Sequence, residues 1–354
     1  MSRPSFAPCF ALACLVVACG PSYDPPSVVD SLRVLAVRLE PASGAPGETV
    51  MLEMLVADGT PRESGEPPRP IEVVWLGGCH NPPSRLYYAC FPELSALAGG
   101  LSEKVVDTPP DTLPPGAFGV GTSFALPLPD DILSSAPRYP GEPVPFGVSY
   151  VFFAACAGEL RPRPELTDRV PLACVDPASG DELDSDDFVQ GFATVPTYEG
   201  ARNENPRLTS VRFGSLAVPD AGCESDAECD GLGGAPPGEL GCSEAGRCAP
   251  VVSPCAPDAA DCSRELVFPD IDTASAEALP GNYGKEILWA NFYATDGEFQ
   301  TDAQLVNDRA TGWIEDHGAY FVAPESAGEV ELFVTVHDER GGAAWESFQV
   351  LVRP

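Results

Sequence analysis

Apolar residues recur at every second position along most of this chain, and that spacing constrains the fold more than any other feature. Val50, Leu52, Met54 and Val56 share one side of an extended segment, with Thr49 and Glu53 on the other. Phe146, Val148, Tyr150, Phe152 and Ala154 form a second stripe. Val330, Leu332, Val334 and Val336 form a third, followed by Phe348, Val350 and Val352. A strand sends successive side chains to opposite faces, so this pattern describes strands with one buried face, whereas a helix repeats every 3.6 residues. Turn formers punctuate the stripes: 354 residues include 40 prolines and 34 glycines. No convincing helix of more than three turns is predicted. The expected class is all-β, built of packed sheets.

Two sandwiches can be laid out. The first, 32–200, takes strands near 32–40, 48–58, 71–77, 121–128, 144–156 and 188–198. The second, 203–354, takes 207–218, 265–271, 285–295, 311–323, 329–337 and 345–352. Residues 59–70 and 105–143 read as Pro-rich connections, and the polar stretch 199–206 as the boundary. Each layout has a tryptophan in its third strand, Trp75 and Trp289. On these residues the chain resembles the immunoglobulin-like superfold, which implies that both indoles lie in the core. It departs from the antibody version, because neither second strand contains a cysteine for the cross-sheet disulfide. The ending Val336-His337-Asp338-Glu339-Arg340-Gly341-Gly342, then Trp345-Glu346-Ser347-Phe348, resembles the last hairpin of PKD-type bacterial domains. In that family an Asp-x-x-Gly-Gly turn joins the final strands.

The first residues carry a different signal. Arg3, an apolar run from Phe6 and a small residue before Cys19 describe an export signal over 1–18. That run is shorter than the about 20 apolar residues needed to span a bilayer. Leu15-Val16-Val17-Ala18-Cys19 resembles the lipobox of bacterial lipoproteins. The resemblance implies acylation of Cys19 and a stable membrane anchor. Gly20 in place of Asp favours the outer membrane. The Pro-rich remainder of 19–31 would then be a lipidated tether. The acid excess, 53 acidic against 20 basic residues, excludes nucleic acid and anionic lipid headgroups as natural partners. With its scarcity of lysine, the chain resembles the large lipoprotein sets of myxobacterial-type envelopes.

Of 13 cysteines, Cys9 and Cys14 fall in the signal and Cys19 in the lipobox. The remaining ten are an even number in an oxidising setting, which implies five disulfides. Cys79 and Cys90 follow one strand, Cys156 and Cys174 another that runs antiparallel to it. Their ends lie at opposite poles, so the local pairs Cys79–Cys90 and Cys156–Cys174 are expected, since a disulfide needs Cα atoms within about 7 Å. Cys223, Cys229, Cys242, Cys248, Cys255 and Cys262 lie in a segment, 222–263, too poor in apolar residues to build a core. It reads as a disulfide-rich module inserted between the first two strands of the second sandwich, with three sequence-local pairs expected. The spacing C-x5-C-x12-C-x5-C-x6-C-x6-C, with no nearby histidine, argues against zinc.

Enzymatic motifs are missing: no G-x-S-x-G, H-E-x-x-H or phosphate-binding loop occurs, and the histidines are His80, His317 and His337 alone. No catalytic residue or cofactor is expected. Calcium is the one ion the carboxylates would suit, through Asp181, Glu182, Asp184, Asp186 and Asp187, or through Glu224, Asp226, Glu228 and Asp230. Neither run has EF-hand spacing, and a solvated acidic loop is the stronger reading of both. The sequence therefore points to a non-enzymatic envelope lipoprotein that presents its domains to a protein or glycan partner. The alternative is a periplasm-facing structural or assembly component of an outer-membrane complex.

Overall fold

A computed structural model describes residues 25–61, 67–109, 112–138, 146–200, 202–255, 262–279 and 283–354. The signal, Cys19 and the tether as far as residue 24 lie outside the described residues. Among the described residues nine strands build the first domain: β1 Leu32–Glu40, β2 Thr49–Asp58, β3 Glu72–His80, β4 Phe118–Val120, β5 Ser123–Pro127, β6 Phe146–Cys156, β7 Glu159–Pro162, β8 Leu172–Val175 and β9 Phe188–Tyr198. One sheet runs β1-β2-β5 and the facing one β4-β3-β6-β9. This is the A-B-E against C′-C-F-G arrangement of immunoglobulin-like sandwiches.

The inward residues of the two sheets interdigitate. Leu32, Leu39, Val50, Leu52, Phe124 and Leu126 meet Val73, Trp75, Val151, Phe153 and Val195. Trp75 is 0% exposed. Its ring lies 5.9 Å from that of Phe124 and 5.7 Å from that of Phe153, and Nε1 donates to the Gly121 carbonyl at 2.7 Å. A buried indole needs such an acceptor, because an unpaired N–H would forfeit its hydration.

The outer face of the four-stranded sheet is also buried, which a two-layer reading of the sequence did not anticipate. Val74, Leu76, Tyr150, Phe152 and Ala154 form a second core with Leu94, Val105, Leu160 and Leu172. The cover is the excursion after β3, including helix α1 Phe91–Ala98, together with the β7–β8 hairpin. Every residue of β6 from Gly147 to Cys156 is buried, since both faces are covered. The disulfides Cys79–Cys90 and Cys156–Cys174 pin these two covers to the ends of β3 and β6.

The second domain opens with β10 Leu208–Phe213, β11 Leu216–Ala217, β12 Leu240–Cys242, β13 Cys248–Val252 and β14 Arg264–Ile271. It continues through β15 Leu288–Ala294, β16 Glu298–Phe299, β17 Ala303–Asp308, β18 Gly312–Trp313, β19 Ala319–Val322, β20 Gly328–Asp338 and β21 Ala343–Val352. The sheets run β11-β10-β14-β19-β16 and β12-β13-β21-β20-β15-β17-β18. Val211, Phe213, Val267 and Phe321 pack on Leu288, Phe292, Leu332, Val334, Phe348 and Val350. Trp289 departs from the expected core position. Leu288, Ala290 and Phe292 take the inner face, and Trp289 stacks on His337 from the outer one at 5.7 Å.

The cysteine-rich insertion is part of the sheet. Val251 and Val252 run parallel to Leu351 and Val352, so the module adds its own strands beyond β21. Its cysteines correct the expected local pairing. The bonds are Cys223–Cys242 and Cys229–Cys248, interleaved in sequence, and Cys255–Cys262 alone is local. The physical reason is the β12–β13 hairpin, which sets Cys242 opposite Cys248 in the ladder and so turns each toward the segment containing α2, Asp226–Cys229.

The domains meet through a small shared core. Val29, Leu35, Leu55 and Ala57 pack on Tyr293 and Phe333. A bulge between Val34 and Ala36 in β1 releases Leu35 toward this junction. Val29 N–H donates to the Ala294 carbonyl at 2.8 Å, and Ala294 N–H to that of Ser27 at 2.9 Å.

Candidate recognition surface

The outward side chains of β9 include Phe192, which is 40% exposed on an edge strand. Tyr87 stacks on it with ring centroids 4.4 Å apart. Tyr88, 51% exposed, and Leu86 extend the ledge, while Phe91 and Phe152 support it from below. Large exposed aromatics grouped on one surface are a feature of recognition sites rather than of ordinary solvated surface.

The loop that holds the tyrosines is tightly braced. Asn81, Ser84 and Arg85 all have positive φ, at 45°, 57° and 53°, and among the described residues they are the non-glycine positions that do. Such backbone costs about 1–3 kcal/mol per residue and persists only where surroundings enforce it. Asn81 Nδ2 donates to the Ile132 carbonyl at 2.6 Å, and its Oδ1 accepts from Val148 N–H at 3.0 Å. Tyr150 Oη donates to the Arg85 carbonyl at 2.9 Å, and the Arg85 guanidinium lies 3.9 Å from the Phe146 ring. Burial pushes the Tyr150 phenol up, with Arg85 opposing, so it stays a neutral donor.

Phe192 is shared with a cleft of about 500 Å³ between the domains. Its walls are Val34–Val37 of β1, Phe192–Thr194 of β9, and Trp289 with His337 from the second domain. Asp338 closes the far end. Its Oδ1 accepts from Arg340 N–H and Gly342 N–H, both at 2.8 Å, and its Oδ2 from Asn203 Nδ2 at 2.9 Å. The Asp-x-x-Gly-Gly turn thus ties the inter-domain segment to the last hairpin. Behind it Arg340 pairs with Glu277 and the fully buried Glu286. Burial pushes the Glu286 carboxyl up, against the opposing pull of Arg340.

The acidic runs are not gathered for a cation. Asp187 pairs with Arg69, Asp184 Oδ1 caps Asp186 N–H at 3.0 Å, and Asp181 uses its carbonyl to hold Asp176 N–H. Asp226 pairs with Arg353 and accepts from Cys242 N–H, and Glu228 accepts from Glu224 N–H. Among the described residues the one close group of ligand-type atoms is Cys223, Cys229 and Cys248, and these sulfurs are committed to disulfides.

The histidines are held by structural contacts. His80 Nδ1 lies 2.7 Å from Ser149 Oγ, but Ser149 is 0% exposed and cannot meet a substrate. Burial pushes His80 down, with Asp131 opposing. His317 bridges the Ile314 and Pro269 carbonyls. His337 contacts Thr335 Oγ1 at 2.9 Å, and burial pushes it down. No helix among the described residues is long and apolar enough to cross a membrane.

No family model and no curated protein matches this chain. Among solved structures it is similar to the D00–D0 domain of Intimin, at 10% identity over 92% of this chain and 99% of that one, with a TM-score of 0.20. The fibronectin(III)-like modules of Clostridium thermocellum CbhA match at 11% identity over 90% and 94%, with a TM-score of 0.19. E. coli alpha-2-macroglobulin matches at 12% over 92% of this chain but 17% of that one, with a TM-score of 0.23. Superpositions this loose add nothing to the strand order, which carries the fold assignment by itself.

Proposed function

We propose that this chain is a non-enzymatic lipoprotein of the bacterial envelope, anchored through acylated Cys19, whose paired sandwiches recognise a protein or glycan partner. The observation that carries the reading is the ledge in which Tyr87 and Tyr88, exposed on a strained and disulfide-braced loop, stand beside Phe192 of β9. A fold gains nothing from holding aromatics in water on costly backbone, so the arrangement favours contact with a partner. A rigid aromatic loses little entropy on binding and suits sugar faces and peptide side chains alike.

Three measurements test it. Intact-mass analysis of native material should show an acylated Cys19 at the N-terminus, and an unmodified terminus rejects the anchor. Protease added to whole cells should remove the sandwiches. Protection of the domains would instead favour a periplasm-facing component of an outer-membrane complex. Tyr88→Ala should weaken retention on native envelopes at least tenfold without altering the melting temperature, and unchanged retention rejects the ledge.

A further inference from the structure

The cleft beside the ledge exposes a length of unpaired strand edge. Tyr198 N–H donates to the Gly44 carbonyl at 3.1 Å, and the Pro196 carbonyl accepts from Gly44 N–H at 3.0 Å. Both residues therefore turn their backbone groups away from β6. The β6 side agrees: Val148, opposite Pro196, gives its carbonyl to Asn81 N–H in the direction of β3. Backbone groups alternate sides along a strand. Gln190, Phe192 and Thr194 consequently aim N–H and C=O out of the sheet, the latter two toward the cleft. Among the described residues no neighbour bonds to them, nor to the facing edge of β1 from Arg33 to Arg38. The edge is closed at both ends, by the Gly44 contacts above and by Leu32 N–H on the Asp186 carbonyl below. It is left open between them, where proteins usually block an edge.

We infer that this edge receives an extended peptide segment of a partner protein, which pairs with Gln190, Phe192 and Thr194 as a fifth strand beside β9. This rests on the recognition function proposed above and names its partner class. Free backbone donors and acceptors in register select polypeptide, because a strand satisfies them at regular spacing. Trp289, Leu35 and Phe192 line the same cleft and take apolar side chains at alternate positions. The net charge of −33 selects a segment flanked by lysine or arginine. Pro196 shows that this parity tolerates proline, whose missing N–H would have pointed outward.

The test uses the whole chain and a six-residue probe of valine and tyrosine alternating with threonine, with a lysine at each end. Hydrogen exchange should show the Phe192 and Thr194 amides protected on binding, with Ala193 and Val195, already bonded to β6, unchanged. N-methylation of the probe on its pairing edge should weaken binding at least tenfold, and Thr194→Pro about tenfold. Equal affinity for the methylated probe, no binding at all, or binding without amide protection overturns the inference. Protection that appears on concentrating the protein alone assigns the edge to a second copy and also overturns it. Should Thr194→Pro fail to fold, the methylated probe still decides. Envelope retention lost with Tyr88→Ala but indifferent to Thr194→Pro rejects the peptide and keeps the wider function. Amide protection by the probe, with no envelope retention in either form, rejects the wider function instead.

Discussion

Trp75 and Trp289 occupy equivalent strands, yet their environments differ completely. Trp75 fills the first core, with its N–H satisfied, whereas Trp289 stacks on His337 at the outer face of the second domain's sheet, where it walls the cleft. Trp75→Ala should cost about 4 kcal/mol. Trp289→Ala should cost about 1 kcal/mol, since a half-buried surface contact is replaced by water. Urea unfolding of both variants checks the contrast. Arg69 supplies a second residue-scale test. It joins Asp58, Thr60 and Asp187, bridging the end of β2 to the start of β9. Burial raises the Asp58 carboxyl, but hydrogen bonds from Arg69 and Thr60 outweigh it and hold the group below its ordinary value. A depressed native pKa gives stability that is present above the unfolded value, about 3.9, and lost as pH falls through the native one. Asp58→Asn should therefore cost about 2 kcal/mol at neutral pH. In urea titrations across a pH series, the difference from wild type should vanish once the native carboxyl is protonated.

Among the elements, β6 shows how the first domain exceeds a plain sandwich. Its alternation is legible in the sequence as a stripe of every second residue, but the intervening residues are apolar too: Val151, Phe153 and Ala155 face the inter-sheet core. Phe152 and Ala154 face the second core built by α1 and the β7–β8 hairpin. Cys156–Cys174 closes that hairpin over the sheet end. Replacing both cysteines by serine should cost about 3 kcal/mol by the loop-entropy model. It should also raise hydrogen exchange in 159–175 while leaving β1 and β2 unchanged. Uniform destabilisation would mean that the second core is not a separate layer.

At the scale of the whole molecule, the junction decides whether the cleft exists. Phe333 and Tyr293 lie on the outer face of the second domain's sheet and are covered by Val29, Leu35 and Ala57. Arg38 sits 4.7 Å from the Trp345 ring, adding a polar clasp. Wild type should unfold in one calorimetric transition. Phe333→Ala should remove about 3 kcal/mol from the junction and split the unfolding into two transitions, with the individual cores intact. Two transitions already present in wild type would show that the domains were never coupled, and a single unshifted transition in the variant would show that Phe333 does not couple them.

The sequence alone carried the all-β class, the positions of the longest strands and the supply of cysteines. Each depends on local chemistry: side-chain period, turn residues and residue count. Tertiary structure decided which face Trp289 takes, how Cys223, Cys229, Cys242 and Cys248 interleave, and that the excursion after β3 forms a second core. It alone brought the edges of β1 and β9 together beside Tyr87 and Phe192. The physical reason is that a period of two says only that faces alternate. Which face is buried, and against what, follows from registers, bulges and contacts between residues more than a hundred positions apart, as with Leu35 and Phe333.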